Sequence, residues 1–331
     1  MAYLGDDAGH RLQTGSRDFV IRSTQGIAAR DFSDRANVDA ELVEGEKYIA
    51  AIAFDGDSIG RWVSGELLNP NENLETHHKD FSKALSNFAL KRARGIVEKN
   101  HQGFLIYAGG DDVVALVPAD VALDCAAELR EAFLDAAKGI KDRLGRSPDA
   151  SAGIAIAHVK SPLQDLIRAA QIAEKDAKTK VGRPAFSVTL MKRSGEISHW
   201  GAKWDSGGLA LYREIAKRLV SDEISAKFPH RVCQLLEPYL TRETSISRQI
   251  DAIDAVTARE LIASEFAFAA TRQGSPAIAG NLAAPLDRYI IHLEDEPQAI
   301  LESVIGLCTT LAFADRNRNK SLTAEKQPAA L

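Results

Sequence analysis

The sequence is short of cysteine, of basic excess and of long apolar runs, and each shortage removes a class of function. Its three cysteines, Cys125, Cys233 and Cys308, lie far apart and form no CxxC pair. Neither a zinc ribbon nor a disulfide framework is indicated, and a reducing cytoplasm is the expected setting. Lys and Arg total 41 against 46 Asp and Glu, a net charge of -5. A chain that grips nucleic acid along its length carries a positive field, so any RNA contact here is expected to be local or shared with partners. The opening MAYLGDDAGHRLQTGSRD holds no apolar core of a signal peptide. No later stretch reads as approaching the roughly 20 residues that span a membrane, so no membrane partner is expected. What remains is an ordinary globular composition, 45% hydrophobic and 26% charged, over 331 residues, enough for two domains.

Residues 1–45 are polar and aperiodic and read as an N-terminal arm or linker. YIAAIAFD (48–55) is a short apolar run stopped by Gly56, the pattern of a buried central strand. A polar insertion, NPNENLETHHKD, follows, and apolar residues then recur at helical spacing from Phe81 to Val97. FLIYA and VVALV flank a Gly-rich four-residue connection, GGDD, as in a hairpin. A helix marked by Ala122 through Ile140, a strand over 151–159, a helix over 163–180 and the strand AFSVTLM complete the first half. The order predicts an α/β (α+β) fold: a ferredoxin-like βαββαβ palm over 46–203, followed by an all-helical C-terminal domain over 204–331.

In a split βαβ fold the first and third strands lie side by side and antiparallel. Asp55, at the end of the first, therefore meets Asp112, at the start of the third, with Asp111 on the hairpin tip. Like charges gathered so closely raise one another's pKa unless a cation is present. A sparse Asp cluster without His or Cys suits Mg²⁺ or Mn²⁺. Gly109 and Gly110 let the hairpin take unusual backbone angles, and Gly56, Ser58 and Gly60 do so after the first strand, where amides could cradle phosphates. Ala51, Ala53 and Asp55 share one strand face, and that alanine face is expected to leave room for a nucleotide or a partner. GGDD alone is as easily a plain turn; a turn needs no carboxylate on the neighbouring strand.

These residues resemble the nucleotidyl-cyclase and polymerase-like palm domains, and within them the large subunit of type III CRISPR effector complexes, most closely its type III-B form. The resemblance is carried in order by FDGDSIG (54–60), YAGGDDVVALVP (107–118), SAGIAIAHVKSPL (151–163), AKTKVGRPAFSV (177–188) and KRSGE (192–196). It implies an enzyme that joins ATP molecules into cyclic oligoadenylates, second messengers of antiviral defence, when the complex binds target RNA. Asp55 and Asp112 would hold two metal ions, with Asp111 completing the motif. Gly56, Asp57, Ser58, Ile59, Gly60, Gly109, Gly110, Lys178 and Arg183 would bind the nucleotide. Lys178 and Arg183 equally suit a solvated helix end, and three residues separate Lys178 from Gly182 where the related diguanylate cyclases have two. The partners implied are the other subunits of the ribonucleoprotein, guide RNA and target RNA, and a second palm domain or second copy of the chain.

The family's large subunit usually carries an N-terminal HD-type nuclease, a first palm and a zinc module, none of which is expected here. His77-His78 and His158 form no HD site and read as exposed or structural. A compact, split or partial version of the subunit is the expectation. Two other readings stand beside this one: a diguanylate cyclase, which shares the palm, and a non-catalytic scaffold that binds guide RNA and other subunits.

Overall fold

The computed structural model describes residues 11–14, 17–20, 23–30, 47–68, 72–240 and 253–325. The chain divides into two compact units at Ile197/Ser198. The arm expected over residues 1–45 lies partly outside the described residues. Its described part holds an antiparallel pair, β1 (Arg11–Thr14) and β2 (Arg17–Val20), and a short helix, α1 (Thr24–Ala28). Ser23 caps α1, its Oγ accepting from Gly26 N at 2.9 Å. Ile27 and Ala28 are buried with Ile49 and Ala51, so this stretch contributes to the core.

The first unit is organised around β3 (Tyr48–Gly56), which is buried over nearly its whole length. It is flanked antiparallel by β5 (Asp112–Pro118) and β6 (Ala150–His158). β4 (Phe104–Gly109) pairs with β5, and β7 (Ala185–Met191) runs parallel to β6. The strand order within this unit is β4-β5-β3-β6-β7. The helices between them are α2 (Ile59–Val63), α3 (Leu74–Asn87), α4 (Ala122–Ala136) and α5 (Leu163–Asp176). Core strands one and three are neighbours at the sheet centre, the ferredoxin-like βαββαβ palm read from the sequence.

Two helix boundaries differ from the periodicity. α3 begins at Leu74, inside the stretch read as a polar insertion, because Asn73 caps it by accepting from Glu75 N and Thr76 N at 2.9 and 3.1 Å. Its polar first turns face solvent, which hides them from a search for apolar spacing. α4 ends at Ala136, and Ile140 packs from the turn beyond it. The helical run of α3 continues in wider π turns to Asn100, and that of α5 to Gly182.

Both faces of β3 are covered. Phe54 packs with Phe88 and Phe133 at ring-centroid distances of 5.6 and 6.0 Å. On the opposite face Ala51 and Ala53 pack with Leu166 and Ala170 of α5. The alanine face is thus no ligand cavity; its small side chains admit a helix at close range. Gly153 on β6 shows how close, because a Cβ there would overlap Glu174 N and Ala170 O.

The second unit takes in most of β8 (Ile197–Lys203), a strand that the sequence pattern does not announce. Its helices are α6 (Gly208–Val220), α7 (Phe228–Leu236), α8 (Ala255–Gln273), α9 (Pro276–Ile291) and α10 (Pro297–Glu325). Trp200 stacks on Tyr212 and its Nε1 donates to Tyr289 Oη at 3.0 Å, tying the strand to two helices. Contrary to the sequence reading, one stretch, Pro297–Arg316, is long and apolar enough to cross a membrane. Its Ile300, Leu301, Val304, Leu307, Cys308 and Leu311 are buried at helical spacing, as in a core helix.

The tight seat of α5 on the sheet has a measurable consequence. Gly153→Val should lower the unfolding free energy by about 2–3 kcal/mol, the scale of core overpacking. Gly139→Ala, where a Cβ meets nothing within 4 Å, should change it by less than about 0.5 kcal/mol. Urea unfolding of the two variants checks the difference.

Candidate active site

The register of the sheet brings the three expected carboxylates together. Phe54 pairs with Val113 and Gly109 with Asp112, so the chain leaving β3 at Asp55 runs beside the start of β5. One carboxylate oxygen from each of Asp55, Asp111 and Asp112 lies within 4.8 Å of the others. Burial raises the pKa of Asp111, helped by the charge of Asp112, and burial raises that of Asp112 too.

Glycines make this convergence possible. The connection between β4 and β5 is only Gly110-Asp111, tighter than the four residues read from the sequence, and Gly110 takes φ +70°, a left-handed angle that Gly adopts without strain. A Cβ on Gly56 would sit 2.9 Å from Asp111 Cβ, so the hairpin tip closes on β3 only because Gly56 has none. Gly109 lies under the Tyr107 hydroxyl.

Lys178 faces inward instead of capping a solvated helix end. Its side chain is 9% exposed; Nζ contacts Asp55 Oδ2 and lies 2.6 Å from Glu174 Oε1. Burial, with the charge of Arg183, brings Lys178 down to about 8. Burial, with Asp57 and Asp112, pushes Glu174 up to about 7. Arg183 is about half exposed, and its Nε lies 3.3 Å from Asp57 Oδ1.

The residues 56–60 divide by environment. Ser58 (φ 57°) and Gly60 are exposed, and Ile59 is half-buried beside Gly56. Asp57 turns into the protein: both its oxygens accept from Ser151 Oγ at 2.9 Å, and its amide donates to Asp149 O at 2.8 Å. Asp149 in turn takes a two-pronged hydrogen bond from Arg130 at 2.8 and 2.7 Å. Asp57 therefore positions Arg183 and the turn. Sequence reasoning missed Glu174, Ser151, Asp149 and Arg130. Only Glu174 left a signal, the four-residue spacing to Lys178 on one helix face.

The histidines stay outside the cluster. His77 is buried, stacks on Phe81 and has Nε2 2.9 Å from Trp62 O. His78 Nε2 lies 2.6 Å from Val63 O, and His158 meets the edge of Tyr48. The donor set at the strand ends is all carboxylate, the chemistry that suits a hard divalent cation, and a cationic side chain already rests on one of its members.

Asp57 carries a pH dependence. Burial pushes it up to about 6 from 3.8, against the hydrogen bond of Ser151 and the charge of Arg183. The folded state therefore holds more protons than the unfolded state between about pH 4 and 6, and stability falls as pH rises through that window. Asp57→Asn should remove roughly 2–3 kcal/mol of that fall, two pKa units' worth. Unfolding free energies measured from pH 4 to 7 without divalent cations check it; an undiminished slope in the variant would contradict the assignment.

Known proteins are similar to the stretch of chain that carries this site. Residues 48–187 match the family model described as Cas10/Cmr2, second palm domain. The chain is 30% identical over 222 residues to the CRISPR system Cmr subunit Cmr2 of Pyrococcus furiosus, covering 60% of this chain and 25% of that protein. It is 43% identical over 112 residues to Cmr2 of Saccharolobus solfataricus, covering 34% of this chain and 9% of that protein. The chain thus spans a quarter or less of the curated relatives it matches. Among solved structures, a chain of the type III-B Cmr-beta complex in its apo state aligns over 69% of this chain and 34% of its own length, with 15% identity and a TM-score of 0.46. The family-model match begins at the first residue of β3 and takes in every carboxylate and cation of the cluster, so the stretch that carries the site is the stretch that is similar to the second palm domain of Cas10/Cmr2.

Proposed function

We propose that this chain is a Mg²⁺- or Mn²⁺-dependent nucleotidyltransferase of a type III CRISPR complex, converting ATP to cyclic oligoadenylate in antiviral defence when the complex binds target RNA. The observation that carries the reading is the meeting of Asp55, Asp111 and Asp112 within 4.8 Å at a joint between two strands, with Lys178 on Asp55 and Arg183 on the nearby Asp57. A hairpin turn alone requires no such partner across the sheet.

Asp55 and Asp112 would hold two metal ions, with Asp111 completing the set. Bound there, the ions would offset the charge of the triphosphate, ease loss of the ribose hydroxyl proton and stabilise the departing pyrophosphate. In the transfer a ribose hydroxyl oxygen of one ATP bonds to the α-phosphorus of another, and the bond from that phosphorus to the β-phosphate bridge breaks. Arg183, braced by Asp57, reaches the phosphates from its exposed position, and Lys178 supplies a second positive charge from the buried side. The turn from Gly56 through Ser58, Ile59 and Gly60, with Gly109 and Gly110 opposite, lets the triphosphate approach the main chain. Partners in this reading are the other subunits of the ribonucleoprotein, guide and target RNA, and a second palm or second copy of the chain that presents the second ATP. The setting is the cytoplasm.

Labelled ATP tests the reading. With Mg²⁺, the other subunits and target RNA, the chain should form cyclic oligoadenylate, and Asp111→Ala/Asp112→Ala should reduce the rate at least about a hundredfold. Product made equally well by the double variant would overturn the site. Cyclic di-GMP from GTP would place the chain with the diguanylate cyclases, and no product from either nucleotide would leave a scaffold.

A further inference from the structure

We infer that Lys178 is a tethered counter-cation: it neutralises Asp55 while the carboxylate cluster is metal-free, and Glu174 is the positioning residue that receives its ammonium when a divalent cation claims Asp55. This role rests on the metal-holding reading of Asp55, Asp111 and Asp112.

The geometry gives one ammonium two carboxylates. Lys178 Nζ contacts Asp55 Oδ2 and lies 2.6 Å from Glu174 Oε1. Its hydrogen bond is made to Asp55. Glu174 Oε1, shielded from solvent, has no aligned donor among the described residues. Glu174 is thus a nearby acceptor with capacity to spare. It stands four residues before Lys178 and is already within ion-pair distance of the ammonium, so Lys178 can give up Asp55 and stay on Glu174 by a small side-chain rotation, without moving the helix. Arg183 lies against Asp57, and although its charge also acts on Glu174, the cation in contact with Glu174 is Lys178.

An ammonium in contact with Asp55 and a dication bound to the same carboxylate repel each other, so metal entry must displace Lys178. With nowhere else to go, a buried ammonium would resist displacement, since an unpaired buried charge is costly. Glu174 lowers that cost and keeps the ammonium beside the cluster. Removing Lys178 should therefore favour the metal, and removing Glu174 should oppose it for as long as Lys178 is present.

The test is Mn²⁺ affinity of the full chain without nucleotide, read from the paramagnetic resonance signal of free Mn²⁺. The component lost in Asp111→Ala/Asp112→Ala defines the site. Lys178→Met should tighten that component about tenfold, the equivalent of about 1.4 kcal/mol. Glu174→Gln should weaken it about threefold, yet have no effect in the Lys178→Met background, a coupling that a double-mutant cycle isolates. Lys178→Gln serves as the second variant if thermal melting shows Lys178→Met unfolded. Unchanged or weaker affinity without Lys178 would overturn the counter-cation. Equal weakening by Glu174→Gln in both backgrounds would make Glu174 a metal ligand and overturn its positioning role. A titration with no component sensitive to Asp111→Ala/Asp112→Ala would defeat the metal reading and this inference together. A sensitive component indifferent to Lys178 defeats the inference alone.

Discussion

Three carboxylates held within a few ångströms of one another repel, and the local structure around them answers that repulsion. Each Asp is fixed by backbone that has little freedom to retreat: Asp55 by a strand paired on both sides, Asp111 and Asp112 by a two-residue turn whose tip closes against Gly56. Spreading the charges apart would mean breaking strand pairs at the sheet centre. The compensation must therefore come from cations, and two are built in, Lys178 in contact and Arg183 one carboxylate away. A site that supplies its own partial compensation can fold without metal and still keep acceptors for one.

Behind this cluster lies a second, buried polar layer. Asp57, Ser151, Asp149 and Arg130 link the turn after β3 to the start of β6 and to α4. Buried ionic groups are weak contributors to net stability, because desolvation consumes most of the Coulomb gain. Their contribution is positional: with both oxygens of Asp57 on Ser151 and one of them near Arg183, the turn of residues 56–60 and the guanidinium share one anchor. The rise of Asp57 toward neutral pH measures what that arrangement costs.

The palm was legible because its signals are local and repeated. A short apolar run stopped by glycine, Gly-rich turns and helical periodicity each mark an element, and five motif blocks in order fix their sequence. Asp55, Asp111 and Asp112 follow from topology, since adjacency of the first and third strands is a property of the fold. Other features were hidden because they depend on pairing partners. β8 is recognisable once Trp200 has Tyr212 and Tyr289 to pack on, and the start of α3 rests on an Asn cap ahead of polar turns. Glu174 and Ser151 look like ordinary helix and strand residues until α5 and β6 are folded against β3.

The alanine face of β3 links these layers. Ala51 and Ala53 look from sequence like space kept for a nucleotide or a partner, and in the fold they are joined by Ala155, Ala170 and Gly153, which has no side chain at all. The space instead admits α5, whose backbone comes so near the sheet that a single Cβ would push it away. Glu174 and Lys178 lie at the C-terminal end of that helical run, so the distance from ammonium to Asp55 is set by the seating of α5 on the sheet. A bulkier face would still permit a sheet and a helix, but would lift Lys178 off the carboxylates. Core packing and site electrostatics are thus one constraint, which explains why residues that touch no nucleotide are as small as they are.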